Sequence, residues 1–440
     1  MDEIEMEDLL AFAREELKTR SEQGCDTWEL ERELKLLGQV SSEQTAKRLK
    51  SILDVLEHLR PTEDFPYREP SDLEQVRDQR PEGPRSLGVG IGEETLRQKT
   101  LGGWLGRVAG CMLGKPVEGW ERFKIQHVLE EAKAYPLDDY FPLVPGEEKD
   151  LPEKELELRR GHITHGMRDD DTDYTIIGLR ALEEKGKNFD SRDIAQMWLE
   201  LLPYQKTYTA ERVAYRNIVN GLWPPESARY RNAYREWIGA QIRADAWGYA
   251  CPARPQEAAE LAYRDAVVSH TRNGIYGEMW VAAMIAAAFA TDSPRRIIEI
   301  GLSEIPGDSR LNAAIRQVIE WYEEDLSAED ATTRLLEEFG EYSPVHTINN
   351  AAIVAMALLW GGEDFTRGVG LAVMAGLDTD CNGATVGSVT GVMIGEEGIP
   401  ENWKQPLNDR LESAVFGDFQ VRISDLAART LPLQRLRVSE

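Results

Sequence analysis

Cysteine is scarce in this 440-residue chain: Cys25, Cys111, Cys251 and Cys381 are widely separated and form no CxxC pair. That spacing supports neither a disulfide framework nor a zinc knuckle. Basic residues are also short, with 51 Lys and Arg against 78 Asp and Glu, a formal net charge of −27. Duplex-binding proteins present a basic face, so a nucleic-acid duplex is excluded as the main partner. An anionic substrate would have to be met by a local cation rather than by the overall field. No stretch reaches about 18 uninterrupted apolar residues, so no membrane span and no membrane partner are expected. The longest contender, Trp280 to Ala290, reads as a buried helix. The N-terminus, MDEIEMEDLL, is acidic where a signal peptide is basic. A soluble, cytoplasmic protein is the expectation.

What is present is helical periodicity. Ile4, Leu9, Leu10, Ala13 and Leu17 fall near helical spacing, and Ser41–Gln44 has the pattern of a capping box. Residues 1–60 therefore read as a helical appendage. Pro61, Pro66, Pro70, Pro81 and Pro84 then break any helix or central strand, so 61–94 reads as a proline-rich linker. On this reading, removing the first 85 residues would leave a folded core. From 95 to 440 the chain reads as one compact multi-helix domain, all-α, with helices expected over Asp190–Leu202, Gln256–His270, Ser309–Tyr322 and Asn349–Trp360. The proline-broken, acidic segment 136–160 reads as a long surface loop beside a site.

Two glycine series recur every four residues: Gly102, Gly106, Gly110, Gly114, and Gly383, Gly387, Gly391, Gly395. A helical glycine costs about 1 kcal/mol relative to alanine. Four on one face imply a return, namely two smooth-faced helices in close backbone contact with each other or with another element. Acids open two of the predicted helices. Asp169, Asp170, Asp171 and Asp173 open one predicted helix, and Asp378 and Asp380 open the second glycine helix. One or two acids complement a helix dipole. The surplus carboxylates repel one another without a cation, and their hard oxygens suit Mg²⁺, Mn²⁺ or Ca²⁺ rather than zinc. Neither cluster has the spacing of a calcium hand.

The ordered set Gly110-x-x-x-Gly114-x-Pro116-x-Glu118, Asp169-Asp170-Asp171-Thr172 and Asp378-Thr379-Asp380 resembles the ADP-ribosylglycohydrolase family over roughly 97–395. The resemblance implies an all-α fold with a binuclear Mg²⁺ centre, or Mn²⁺ in its place. It also implies hydrolysis of a ribosyl bond, most simply release of ADP-ribose from a modified side chain or small conjugate. The partner would be an ADP-ribosylated protein or a ribosyl-containing small molecule. By matching position, Asp169, Asp170, Asp171, Asp378 and Asp380 would be metal ligands, with Glu118, Asp170 and Asp380 the catalytic carboxylates. Gly114, His270, Asn273, Tyr276, Asn350 and Asn382 are the candidates for substrate contact. The chain departs from the family pattern at Asp169, where Thr or Ser is usual, at Cys381, where Thr is usual, and at Cys111, often Asp. A thiol is a poor ligand for Mg²⁺. These departures keep open a ribohydrolase acting on a small nucleoside or nucleotide-sugar conjugate. A non-catalytic binding member and a phosphoester hydrolase are the remaining alternatives.

Overall fold

The computed structural model describes residues 3–37, 43–144, 146 and 151–437. Over them the chain forms twenty-two α-helices and one antiparallel two-stranded ribbon, Leu411–Glu412 against Gln420–Val421. The architecture is all-α, as the shortage of alternating patterns requires. Periodicity located the helices closely. Ser191–Leu201 starts on an Asp190 capping box, Arg310–Glu323 is capped by Ser309, and Pro255–Ala266 and Thr347–Gly361 fall where expected. Asn273–Ala288, which contains most of the longest apolar run, is buried along its whole length. Among the described residues no helix is long and apolar enough to cross a membrane.

Residues 3–58 form three helices, Glu3–Glu22, Trp28–Leu37 and Glu43–His58. They close on a small core of their own, built from Ala13, Leu17, Leu34, Leu49, Ile52, Leu53 and Leu56. Ser41, the start of the expected capping box, lies outside the described residues. The proline-rich segment departs from its reading as a linker. It is a strap laid along the large domain, with a helix of its own, Leu73–Gln79, whose Val76 belongs to the main core. Glu69 accepts from the Arg310 backbone N–H at 2.9 Å and from the Arg310 and Arg272 guanidiniums at 2.9 and 3.0 Å. The Tyr263 hydroxyl donates to the Ser71 carbonyl at 3.0 Å, and Arg80 pairs with the buried Glu304 at 2.6 Å. Proline excludes helix, but it does not exclude an extended segment whose charges are sequestered by the surface beneath.

The two glycine helices, Glu93–Gly114 and Thr379–Ile394, pack antiparallel on each other, backbone against backbone. A Cβ built on Gly102, Gly106, Gly110 or Gly114 would lie 2.2, 2.0, 1.9 or 2.1 Å from the carbonyl oxygen of Gly391, Gly387, Gly383 or Thr379. No larger residue fits at these crossings without moving a helix. This pairing, long-range in sequence, sets the end of the first helix on the start of the second.

Candidate functional site

That end-to-start junction gathers the acidic residues of both helix starts. The turn after Gly114 is tied to the loop before Thr379 by two hydrogen bonds. The Thr379 hydroxyl donates to the Gly114 carbonyl at 2.8 Å, and the Gly119 N–H donates to the Leu377 carbonyl at 3.0 Å. Gly376 and Leu377 both take positive φ, which turns the chain sharply to present Asp378. Asn350 supports this loop from behind. Its side-chain oxygen accepts from the Asp378 N–H at 3.3 Å and from the Asn382 amide at 2.7 Å. The acidic helix, Asp170–Lys185, is capped by Asp169, which accepts from the Asp171 N–H at 3.1 Å.

These segments line one cavity of about 320 Å³, which brings together Glu118, Asp169, Asp170, Asp171, Asp378, Asp380 and Cys381 with Lys115 and Arg168. Trp237, Ile238, Gly239, Val345 and Tyr208 complete its wall. Two other hollows, of about 410 and 420 Å³, are lined mainly by surface charges such as Glu93, Arg97 and Arg435, or Arg410, Glu412 and Arg429. Neither gathers buried titratable groups, so size does not pick the site.

Ligand atoms of Glu118, Asp378 and Asp380 lie within 4.8 Å of one another, as do those of Asp171, Asp380 and Cys381, and those of Cys111, Asp169 and Asp171. One oxygen each of Asp378 and Asp380 is buried and accepts no hydrogen bond. A buried carboxylate oxygen without a donor is costly unless something positive fills its place. The residues therefore fit a hard cation at the Glu118, Asp378 and Asp380 corner. Burial, then the charges of Asp169 and Glu118, push the Asp380 carboxyl up to about 7. Burial and neighbouring carboxylates raise Asp170, Asp171 and Asp378 as well. Glu118 is raised by desolvation of its carboxyl and by Asp169; the side chain as a whole is exposed at the rim, but its carboxyl is set against the site. Asp169 goes the other way. Burial opposes its charge, and the Lys115 ammonium in contact with it outweighs that penalty.

The sequence candidates separate into three groups. Glu118, Asp169, Asp170, Asp171, Asp378 and Asp380 converge on the cavity. Gly114, Asn350 and Asn382 stand behind it: Gly114 in the helix crossing, the two asparagines bracing the Asp378 loop. His270, Asn273 and Tyr276, expected at the cleft rim, are not in its lining. Each is buried, with Asn273 on Glu236 at 2.8 Å and on the Leu311 N–H at 3.1 Å, and the Tyr276 hydroxyl on the Pro70 carbonyl. Their polar groups secure the strap and the back of the 232–239 segment, a role their helix-terminal position did not distinguish from substrate contact. His270, buried against Ser269, is driven well below the usual imidazole range by burial and Arg243. Segment 136–160 also misses the cavity in its described part, where Tyr140 packs on Trp403. Asp173, the fourth acid of its run, is structural, held by Arg168 at 2.7 Å and the Ala414 N–H at 2.8 Å.

Sequence reasoning missed Lys115, Arg107, Tyr208 and Trp237. Lys115 stands inside the quoted glycine–proline motif, and the surplus carboxylate at Asp169 was the available hint that a cation would answer it. Trp237 and Tyr208 carried no signal in the sequence pattern that singled them out among eleven tryptophans and fourteen tyrosines.

An all-helical domain presenting paired acidic helix starts to one cleft defines the class of protein. The chain belongs to the ADP-ribosylglycohydrolase family, whose model matches residues 92–437. It is 24% identical over 327 residues to an uncharacterized protein of Archaeoglobus fulgidus, covering 70% of this chain and 90% of that one. Its fold is similar to the structure of an ADP-ribosylglycohydrolase-related protein complex, with a TM-score of 0.50 and 21% identity over 78% of this chain and 99% of the other. Residues 1–91 lie outside the family match. Glycosidic hydrolysis, typically metal-dependent and on ADP-ribosylated substrates, is the chemistry the family carries in general.

Proposed function

We propose that this chain is a divalent-cation-dependent hydrolase that cleaves a ribosyl glycosidic bond, releasing ADP-ribose from a modified side chain or a small conjugate. The observation that carries the reading is the convergence of Glu118 with Asp378 and Asp380, each of the two aspartates keeping a buried unpartnered oxygen, beside Asp169–Asp171 in one cavity. A hard cation, Mg²⁺ or Mn²⁺, would supply there the positive charge for orienting a ribose diol and acidifying a water. Asp378 and Asp380 would hold that cation, and Asp170 adds a further carboxylate to the lining of the same cavity. The transition state of ribosyl transfer is oxocarbenium-like, so a fixed carboxylate beside it contributes chiefly by electrostatics and positioning. Glu118, which reaches the same corner from the rim, would complete the carboxylate set around the cation and orient its water. Trp237 and Tyr208 offer flat faces for a base.

A second reading, a ribohydrolase on a small nucleoside or nucleotide-sugar conjugate, is favoured by the cavity itself. About 320 Å³ lies at the small end of ligand sites, which run from roughly 300 to 1,000 Å³. The test is incubation with Mg²⁺ and a panel of ADP-ribosyl-arginine, ADP-ribosyl-serine peptide, O-acetyl-ADP-ribose and plain nucleosides, read by mass spectrometry beside an EDTA control. ADP-ribose release stopped by EDTA supports the first reading. Ribose or free base from nucleosides alone moves the assignment to the second, and phosphate release would make it a phosphoesterase. Full activity of Asp380→Ala would sink the metal-assisted mechanism altogether.

A further inference from the structure

The five carboxylates of the cleft that cluster at ligand distance divide into two sets by how their charge is answered, with Asp171, Asp380 and Cys381 meeting between them. Asp169 is in contact with the Lys115 ammonium, and Asp171 receives Arg107 at 2.9 Å, an arginine shared with Asp245 at 2.9 Å. Asp171 is further occupied by the Cys381 thiol, which donates to its other oxygen at 3.3 Å. The third group near these two is another thiol, Cys111. Two carboxylates there face two built-in cations and two soft sulfur atoms. At the other corner, among the described residues no Lys, Arg or His pairs directly with Glu118, Asp378 or Asp380; Lys115 acts on Glu118 and Asp380 only at longer range, and Asp378 and Asp380 each keep a buried oxygen with no donor.

We propose that the cleft binds a single divalent cation, at Glu118, Asp378 and Asp380, and that the Lys115 ammonium takes the place of a second one. The proposal rests on reading the cleft as a cation site, and differs from a binuclear centre in the number of ions. The physical ground is charge and donor type. A hard cation entering between Asp169 and Asp171 would have to displace an ammonium and share a carboxylate with a guanidinium. It would gain only thiols in exchange, and Mg²⁺ or Mn²⁺ takes oxygen in preference to sulfur. The ammonium already supplies the charge compensation a second ion would bring, without a loss of its own hydration at each binding event. Asp169 and Lys115 then form one unit: the extra carboxylate and the extra cation cancel, and Asp169 positions Lys115 over the cavity rather than ligating metal.

The experiment is equilibrium dialysis of the full chain against Mn²⁺, with metal per chain read by atomic emission and the bound ion by electron paramagnetic resonance. One ion per chain with the six-line spectrum of isolated Mn²⁺ is expected. Lys115→Met, which removes the charge and keeps the stem, is expected to raise the content to two, with a spin-coupled spectrum. Asp169→Asn is expected to keep one ion, whereas Asp378→Asn loses it; these two decide the matter where Lys115→Met does not fold. Two ions on the unaltered chain, a folded Lys115→Met protein that still holds one, or loss of the ion in Asp169→Asn would each overturn the proposal. A folded chain that binds none would overturn the cation site itself, and with it the mechanism proposed above.

Discussion

Replacing Gly110 by alanine tests the junction that builds the site. The added Cβ would lie 1.9 Å from the Gly383 carbonyl oxygen and 2.4 Å from its carbon. Non-bonded heavy atoms need roughly 3.5 Å, so the two helices must part locally by about 1.5 Å. They cannot tilt to relieve it, because Gly106 on Gly387 and Gly114 on Thr379 make the same contact on either side. Overpacking a core costs about 1–3 kcal/mol where side chains can yield, and more where, as here, both partners are backbone. Alanine returns about 1 kcal/mol through helix propensity. A net loss of about 2–4 kcal/mol is expected in urea unfolding. Mn²⁺ affinity should weaken with it, since the separation opens at Glu118 and Asp380. Gly90→Ala is the control: its Cβ would meet nothing within 4 Å, and a change within about 0.5 kcal/mol is expected. If Gly110→Ala proves as stable as the unaltered chain, the backbone-to-backbone packing is wrong and the placement of the site loses its support.

Glu69→Ala removes one of the two carboxylates that face Arg272 and the nearly buried Arg310, leaving Glu236 on Arg310 at 2.8 Å, and should cost about 1–3 kcal/mol in chemical denaturation. By the same contacts, deletion of residues 1–85 should yield an unstable or aggregating protein by calorimetry and light scattering, contrary to the sequence expectation; a monomeric, cooperative melt would show the strap dispensable. Glu22, half-buried near Glu236, has its carboxyl pushed up to about 7 from 4.5, chiefly by desolvation. Its folded pKa lies above the unfolded value, so the folded state retains a proton that the unfolded chain gives up, and stability falls as pH rises through that window. Glu22→Gln should leave stability unchanged near pH 4.5 and raise it by about 2 kcal/mol at pH 8, read from urea midpoints across pH; parallel pH profiles would refute the assignment. Asp380→Asn removes one of several clustered buried carboxylates, so it should raise the melting temperature of the metal-free protein while abolishing the upward shift that Mg²⁺ gives. A Mg²⁺-induced shift that survives would place the cation elsewhere.

The sequence by itself determined the all-α class, the helix positions and the acids that converge, because helical periodicity, capping residues and clustered like charge are local properties. The glycine spacing even named the faces that meet, since a repeat of four on a helix has few uses besides close approach. Which residues answer the acids was beyond it. The partnering of Asp169 by Lys115 spans 54 positions and that of Asp171 by Arg107 spans 64. No periodicity encodes which of 51 basic residues comes to rest in a cleft. His270, Asn273 and Tyr276 show the same limit. At a helix end, a polar residue that touches substrate and one that ties down a strap have the same letters and spacing. The prolines of 61–94 were equally ambiguous, for they fix what the backbone does not form and say nothing of what it lies against. Tertiary structure decided these matters, because burial and charge pairing are settled between segments far apart in the chain, where only the packed helices set the distances.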